Sequence, residues 1–385
     1  MTIRKEALNS KAFQKLKEIY DNRESIARDW KAHGKKVAGI LGWDVPEELL
    51  MAADILPYRI YGTPDISMKE ADQYLEFAFP PVLRSQFEKI IDGANADLMD
   101  CLIISNSTDA LVRIYYYIRE VAALEPEKPI PELYFIDWLF TRFRMHQVRN
   151  EKIVGQFREK LEAWSGKKLD DQEILKAADQ CNRNRELLEK MAALRREGRI
   201  NGSEALVIIG SSFYMEKDAH SVLLEDLLQE AAAWQTVSGV KLFLTGSGQE
   251  QSGFYQLLEE HGMVVVGEDH DWGDRHWNKK IDTSLEPIKG IVDRYMLRSP
   301  GTKRAFVSER VEAICRSARA CGAEGVIAYT YLYDDAPSWD FPEQKKALKE
   351  MGIPMLQLTG RPYGVEEGES LKTKLEEFAS SIKEV

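Results

Sequence analysis

The 385-residue chain is 44% hydrophobic and carries a formal net charge of -11. Its lysines and arginines are scattered, which argues against a nucleic-acid or anionic-membrane surface and leaves only local cationic pockets for an anionic ligand. No stretch reaches the roughly 18 apolar residues of a membrane span, and MTIRKEALNSKAFQKLKEIY shows helical periodicity without an apolar signal core, so a cytoplasmic protein of two domains is expected.

Residues 1–34 read as one or two charged helices, after which VAGILGW is the first candidate buried strand. Asp44-Val45-Pro46-Glu47-Glu48 follows it, with the proline and two acids suited to a first helical turn. LPYRIYG then reads as a second strand, which completes a β-α-β unit. After a helix near Pro81 to Ile91 comes CLIISNSTDALVRIYYYIRE: a buried strand, a polar stop and a helix start. In open α/β sheets ligands bind at such strand ends. The polar stop Asn106-Ser107-Thr108-Asp109 is therefore either a binding element or only the cap of the next helix.

Residues 132–200 are charged and helical in spacing, and read as a helical insertion or lid. From residue 201 five apolar runs restart the α/β pattern: EALVIIGSSF, VKLFLTGSG, MVVVGEDHDWG, EGVIAYTYLYDD and IPMLQLTG. GKKVAGILGW with LPYRIYG is weakly similar to GVKLFLTGSG with HGMVVVGED, as a duplication would leave, although any two parallel sheets share such a rhythm.

Neither GxGxxG, GxxxxGK[ST] nor GxSxG occurs, so the dinucleotide fingerprint, the P-loop and the nucleophile elbow are absent. Thr245-Gly246-Ser247-Gly248 reads as a turn. The densest polar cluster, Glu268 to Trp277 (EDHDWGDRHW), follows a strand and could serve a metal, a substrate or plain solvent; its spacing matches no standard helix-borne ligand pair. Tyr329, Tyr331 and Tyr333 alternate along a strand ending in Asp334, either as core stacking or as phenols at a ligand edge. Glu47 and Glu48 are helix-dipole partners, or an acid or base if desolvated. Four widely spaced cysteines without a CxxC pair fit reduced thiols better than a disulfide or zinc framework.

Together these stretches resemble a family over nearly the whole chain: the 2-hydroxyacyl-CoA dehydratases and the related ATP-dependent benzoyl-CoA reductases, in their paired iron-sulfur subunits. VAGILGWDVPEELLMAADILPYRIYG resembles the opening strand, P-E-E helix and A-x-x-L-P-x-R segment. LIISNSTDALVRIY resembles the N-S-C-D, R-x-Y element, and the later runs continue in order, with EDHDWGD and WDFPEQK closer to the benzoyl-CoA reductase branch. The resemblance implies an α/β fold of two flavodoxin-like parallel-sheet domains (35–131 and 201–385), an N-terminal helical segment (1–34) and the helical insertion (132–200). It also implies a heteromeric, anaerobic enzyme in which an ATP-hydrolysing activator iron-sulfur protein delivers low-potential electrons to reduce or dehydrate an acyl-CoA.

In such subunits three cysteines ligate a [4Fe-4S] cluster, and here the matching positions hold Pro80 (FPPVLRS), Thr108 (NSTD) and Tyr333 (YLYDD). None is a thiolate, as such a cluster requires. Cys101 begins the strand that Thr108 ends, roughly 20 Å away at about 3.3 Å per residue. The resemblance therefore implies a chain without its own cluster, paired with a homologous cluster-bearing subunit.

On that reading the interdomain cleft is lined by Trp43, Glu47, Glu48, Ser107 and Thr108 from one side. His270, Trp272, Tyr333 and Asp334 line the other, with Arg84 and Arg113 beside an anionic thioester. Tyr333 or His270 is the expected proton donor, and Glu48 a further acid or base. Two alternatives remain: a scaffold or docking subunit with an abandoned site, and an independent metal enzyme using the 268–276 loop.

Overall fold

Two four-stranded parallel sheets organise the chain in this computed structural model, which describes residues 3–298, 305–364 and 368–383. The first contains β1 (Lys36–Leu41), β2 (Ile55–Arg59), β3 (Cys101–Ser105) and β4 (Glu132–Ile136), in the order β2-β1-β3-β4. The second contains β5 (Val240–Gly246), β6 (Met263–Glu268), β7 (Gly325–Tyr331) and β8 (Met355–Arg361), in the order β6-β5-β7-β8. The two sheets thus share one topology, the doubly wound plan of flavodoxin-like domains. β1–β2 and β5–β6, the stretches with internal sequence similarity, occupy equivalent places.

Each equivalent pair also ends on the same device. Gly42 after β1 has φ +99°, and a Cβ there would stand 2.4 Å from Ser105 Oγ. Gly246 at the end of β5 has φ +112°, and a Cβ there would stand 2.1 Å from the Tyr329 carbonyl oxygen. Both turns need a left-handed backbone pressed against the neighbouring strand, which glycine alone supplies without strain.

Two sequence expectations are corrected. EALVIIGSSF is not a strand; Gly202–Ser211 is a helix, buried along its whole length. A short apolar run fits a buried helix as well as a buried strand. The deciding signal was the capping box, in which Asn201 accepts from the Glu204 amide (2.8 Å) and Glu204 accepts from the Asn201 amide (3.0 Å). Conversely, the helical segment opens with a strand, since Glu132–Ile136 forms the edge of the first sheet before the helices Arg144–Ser165 and Asp171–Arg196.

The sheets share a core. One apolar cluster runs from Phe13 and Leu16 of the N-terminal helices through Leu56 and Leu102 to Leu244 and Val265. A polar clasp reinforces it at the buried residue Glu250, after β5. Its carbonyl accepts from Tyr20 Oη (2.9 Å) and Arg23 Nη2 (3.0 Å), and its carboxylate from the Gly62 amide (2.8 Å) and the Tyr363 hydroxyl.

His220 lies in the helical layer and is fully buried. Its Nε2–H donates to the Ile208 carbonyl (2.9 Å) and its Nδ1 accepts from Asn184 Nδ2 (2.7 Å), so the neutral ring is satisfied. Burial pulls its pKa down to about 3. A histidine depressed on folding leaves stability intact above its unfolded pKa near 6.5 and removes it as pH falls from there toward 3. Urea midpoints should show wild type losing about 2 kcal/mol more than His220→Gln between pH 7.5 and 5, at about 1.4 kcal/mol per pH unit. Equal losses would show that His220 does not set this acid limb.

Candidate functional site

The carboxyl ends of β1, β3, β5 and β7 meet at a cavity of about 560 Å³. That places it where ligands of open α/β sheets bind, and its volume suits a small-molecule site.

On the first-sheet wall the polar stop after β3 divides its labour. Asn106 Nδ2 donates to Asp137 Oδ1 (2.8 Å) and the Trp138 carbonyl (2.9 Å), which fastens the loop after β4. Ser107 Oγ accepts from the Trp43 amide (3.2 Å) and pairs with Ser105 Oγ (2.7 Å), which holds the turn after β1. Both are buried. Thr108 caps the helix Asp109–Leu124 by accepting from the Leu111 amide (3.2 Å), and it lines the cavity together with Asp109 and Arg113. The Arg113 guanidinium lies over the Phe79 ring at 4.1 Å.

The opposite wall is built by β6 and β7. His270 lines the cavity and is 1% exposed. Its Nε2 lies 3.3 Å from Glu268 Oε2 and 3.2 Å from Tyr255 Oη, and its Nδ1 has no hydrogen-bond partner among the described residues. Tyr255 donates to Glu268 (2.7 Å), and Arg195 Nη1 donates to the other carboxylate oxygen (2.8 Å). Burial pushes the Glu268 carboxyl up, but Arg195 and His270 outweigh it and hold the group well below the usual carboxylate range. An ionised Glu268 fixes the ring so that Nε2 carries a proton, which leaves Nδ1 to accept or deliver one.

Tyr333 lines the same cavity at φ +63°, a left-handed conformation costly for a bulky residue, of order 1–3 kcal/mol. Its ring packs edge-on against Phe77, with centroids 5.8 Å apart. Asp334 accepts from Ser247 Oγ (2.5 Å), and burial pushes its carboxyl up. Trp272 lies below the Arg59 guanidinium (4.8 Å), which is also paired to Asp271. Tyr329 and Tyr331 are buried and meet edge-on, with ring centroids 5.4 Å apart; Tyr329 belongs to the core, while Tyr331 also lines the cavity and donates its hydroxyl to Gln249 (3.1 Å).

Other candidates lie elsewhere. Glu48 is fully buried, bonded to Arg185 and accepting from Tyr295 Oη (3.1 Å), away from the cavity. Glu47 pairs with Lys217 (3.0 Å) and Arg185 (3.5 Å) beside a smaller inner chamber that it shares with Trp43. Arg84 is bound to Asp72 and the Glu76 carbonyl (2.9 Å) outside the cavity.

Pro80, Thr108 and Tyr333 all line the cavity, but none offers a thiolate, and no cysteine is among its lining residues. Burial pushes the thiols of Cys101 and Cys321 up to about 12 and about 11, and raises those of Cys181 and Cys315. This donor chemistry does not fit an iron-sulfur cluster. Within the 268–276 loop no three potential ligands converge among the described residues. Elsewhere among the described residues Glu47, Glu48 and Cys181 do converge, but the two carboxylates are already paired with Lys217 and Arg185.

Sequence reading missed Arg195 and Tyr255 as the supports of His270. Arg195 stood in the charged segment read as a helical insertion or lid, yet is fully buried. Arg59 carried a legible signal: it is the lone charge in the otherwise apolar LPYRI.

The chain is 22% identical over 382 residues to the (R)-phenyllactyl-CoA dehydratase beta subunit of Clostridium sporogenes, covering 97% of this chain and 99% of that protein. It is 23% identical over 394 aligned residues to the beta subunit of (R)-2-hydroxyglutaryl-CoA dehydratase from Acidaminococcus fermentans, with the same coverage. A benzoyl-CoA reductase subunit of Thauera aromatica is 21% identical over 388 residues, covering 95% of this chain and 96% of that protein. No helix among the described residues is long and apolar enough to cross a membrane. The family model for the 2-hydroxyglutaryl-CoA dehydratase D-component matches residues 42–382, a span that takes in every strand except β1 and all the residues lining the cavity, and the chain belongs to that family.

Proposed function

We propose that this chain is a subunit of a heteromeric acyl-CoA dehydratase or reductase, that it binds no iron-sulfur cluster, and that it works beside a homologous subunit that does. An ATP-hydrolysing activator would supply the electrons, and the cavity would receive part of the acyl-CoA. The observation that carries this reading is the convergence of Pro80, Thr108 and Tyr333 on one open cavity that also holds the unpartnered Nδ1 of His270. An abandoned site serving only as scaffold would be expected to fill its cavity and satisfy its buried polar atoms, so the geometry favours a working cleft.

Reduction of a thioester or ring generates an anion that must be protonated, and dehydration requires a group to assist departure of hydroxide. His270, held by Glu268 and Tyr255, can hold a proton at Nδ1 for either task. Tyr333 offers a second proton donor, its hydroxyl, from the same wall.

The native complex should be purified and its iron and acid-labile sulfide assigned chain by chain. Iron is expected in the partner and not stoichiometrically in this chain, with ATP-driven turnover of acyl-CoA only by the assembly. About one cluster per polypeptide on this chain, or turnover by the chain alone, would overturn the proposal.

A further inference from the structure

Behind the main cavity lies a smaller chamber of about 50 Å³, which shares Gly42, Trp43, Arg59, Asp271 and Arg275 with it. Its walls are cationic. Arg59 is paired with Asp271, and Arg298 Nη2 donates to Asp44 (2.5 Å) and to the Trp43 carbonyl (2.6 Å). Arg185 and Lys217, just behind, are matched by Glu48 and Glu47. Two guanidinium groups, those of Arg294 and Arg275, have no carboxylate hydrogen-bonded to them among the described residues.

Arg294 is 1% exposed. Its Nη2 donates to the His276 carbonyl (2.9 Å), and its Nε lies 3.8 Å from Glu48, a carboxylate already bonded to Arg185 and Tyr295. Neither Nε nor Nη1 has a hydrogen-bond partner among the described residues. Arg275 makes no ion pair within 4.0 Å among the described residues, and its buried Nε is likewise unpartnered. Burial, then repulsion from Arg185, pulls Arg294 down to about 10, and burial lowers Arg275 in spite of the attraction of Asp269. Buried charges without counter-ions are costly, and buried donors are ordinarily satisfied. Arginine is also the side chain whose fork suits planar carboxylates.

We infer that the inner chamber is a binding site for one small carboxylate-type monoanion, held by Arg294 and Arg275. A water needs roughly 10–15 Å³ of such space, so the chamber has room for an anion the size of formate or acetate and for nothing as large as a phosphate ester chain. The site stands independently of the acyl-CoA reading. The carboxylate could be a free small anion, or the end of a chain threaded through the main cavity past Trp43.

The full chain should be titrated with 13C-formate at constant ionic strength in a chloride-free zwitterionic buffer, with carbon line width as the readout. Saturable broadening by a single site is expected, with affinity at least tenfold weaker in Arg294→Met and in Arg275→Met, and smaller losses in the charge-keeping Arg294→Lys. Circular dichroism verifies that each variant is folded, and the wild-type titration decides the matter even where a variant is not. Absence of saturable broadening in wild type, or unchanged binding in a folded Arg294→Met, would overturn the inference. A second arm adds an acyl-CoA whose chain ends in a carboxylate, against one of equal length ending in a methyl group. Displacement of formate by the former alone assigns the anion to the acyl chain, and displacement by neither assigns it to a free ion. Failure of the acyl-CoA proposal would leave the formate result untouched.

Discussion

Replacing His270 by alanine should lower kcat of the assembled complex by about 10²- to 10⁴-fold, the range for loss of a positioned proton donor or acceptor, while KM changes little. His270 lines the cavity with Nδ1 unpartnered, and its opposite nitrogen is fixed by a buried, ionised Glu268. A His270→Asn variant places an amide near the same atom and should keep the fold and acyl-CoA binding without restoring turnover. Tyr333→Phe tests the other candidate donor on that wall, its hydroxyl. Full turnover in the double variant His270→Ala/Tyr333→Phe would exclude both as proton donors.

Arg195→Met should be the most damaging single change to stability, by about 3–5 kcal/mol, because it strands the Glu268 carboxylate in the core. Both side chains are fully buried, and Arg195 also donates Nε to the Val265 carbonyl (2.8 Å). The sign of its pH dependence follows from the charge left behind. Without Arg195, burial raises the Glu268 pKa above its unfolded value, so the loss is small below that unfolded value and grows as pH rises. Denaturant midpoints at pH 5 and 8 measure this directly. Adding Glu268→Gln should recover most of the stability, since a buried pair removed together costs far less than either half alone. An equal loss in the single and double variants would show that the ion pair is not the cause.

Much of the first sheet was legible because β1, β2 and β3 are continuous apolar runs stopped by glycine or small polar residues, as strands buried on both faces must be. Gly202–Ser211 was not, because a helix buried on all sides loses the polar stripe that reveals its period; only its capping box distinguished it. β4 was missed for the opposite reason, since an edge strand with exposed positions blends into the charged helices after it. Within the site, strand-end position drew attention to Thr108, His270, Tyr333 and Asp334, all of which line the cavity. It could not separate Ser107 and Asn106, which point back to brace neighbouring loops, from Thr108 one residue later. Glu48 was misplaced because an acid in a first helical turn looks the same in sequence whether it faces a cleft or, as here, Arg185 in the core. The supports of His270 are 15 and 75 residues away from it in sequence (Tyr255 and Arg195), and nothing local marks them.

The clasp at Glu250 bears on how a ligand gets in. It ties an N-terminal helix, the loop after β2 and the segment after β8 to one residue on the cavity wall, while the apolar core passes unbroken between the sheets. Swinging the halves apart would tear both. Opening the cleft as a pair of jaws would therefore cost both contacts, and its lip carries two exposed aromatic side chains: Trp339, 78% exposed on the wall, and Phe77, 76% exposed, which leans on Tyr333.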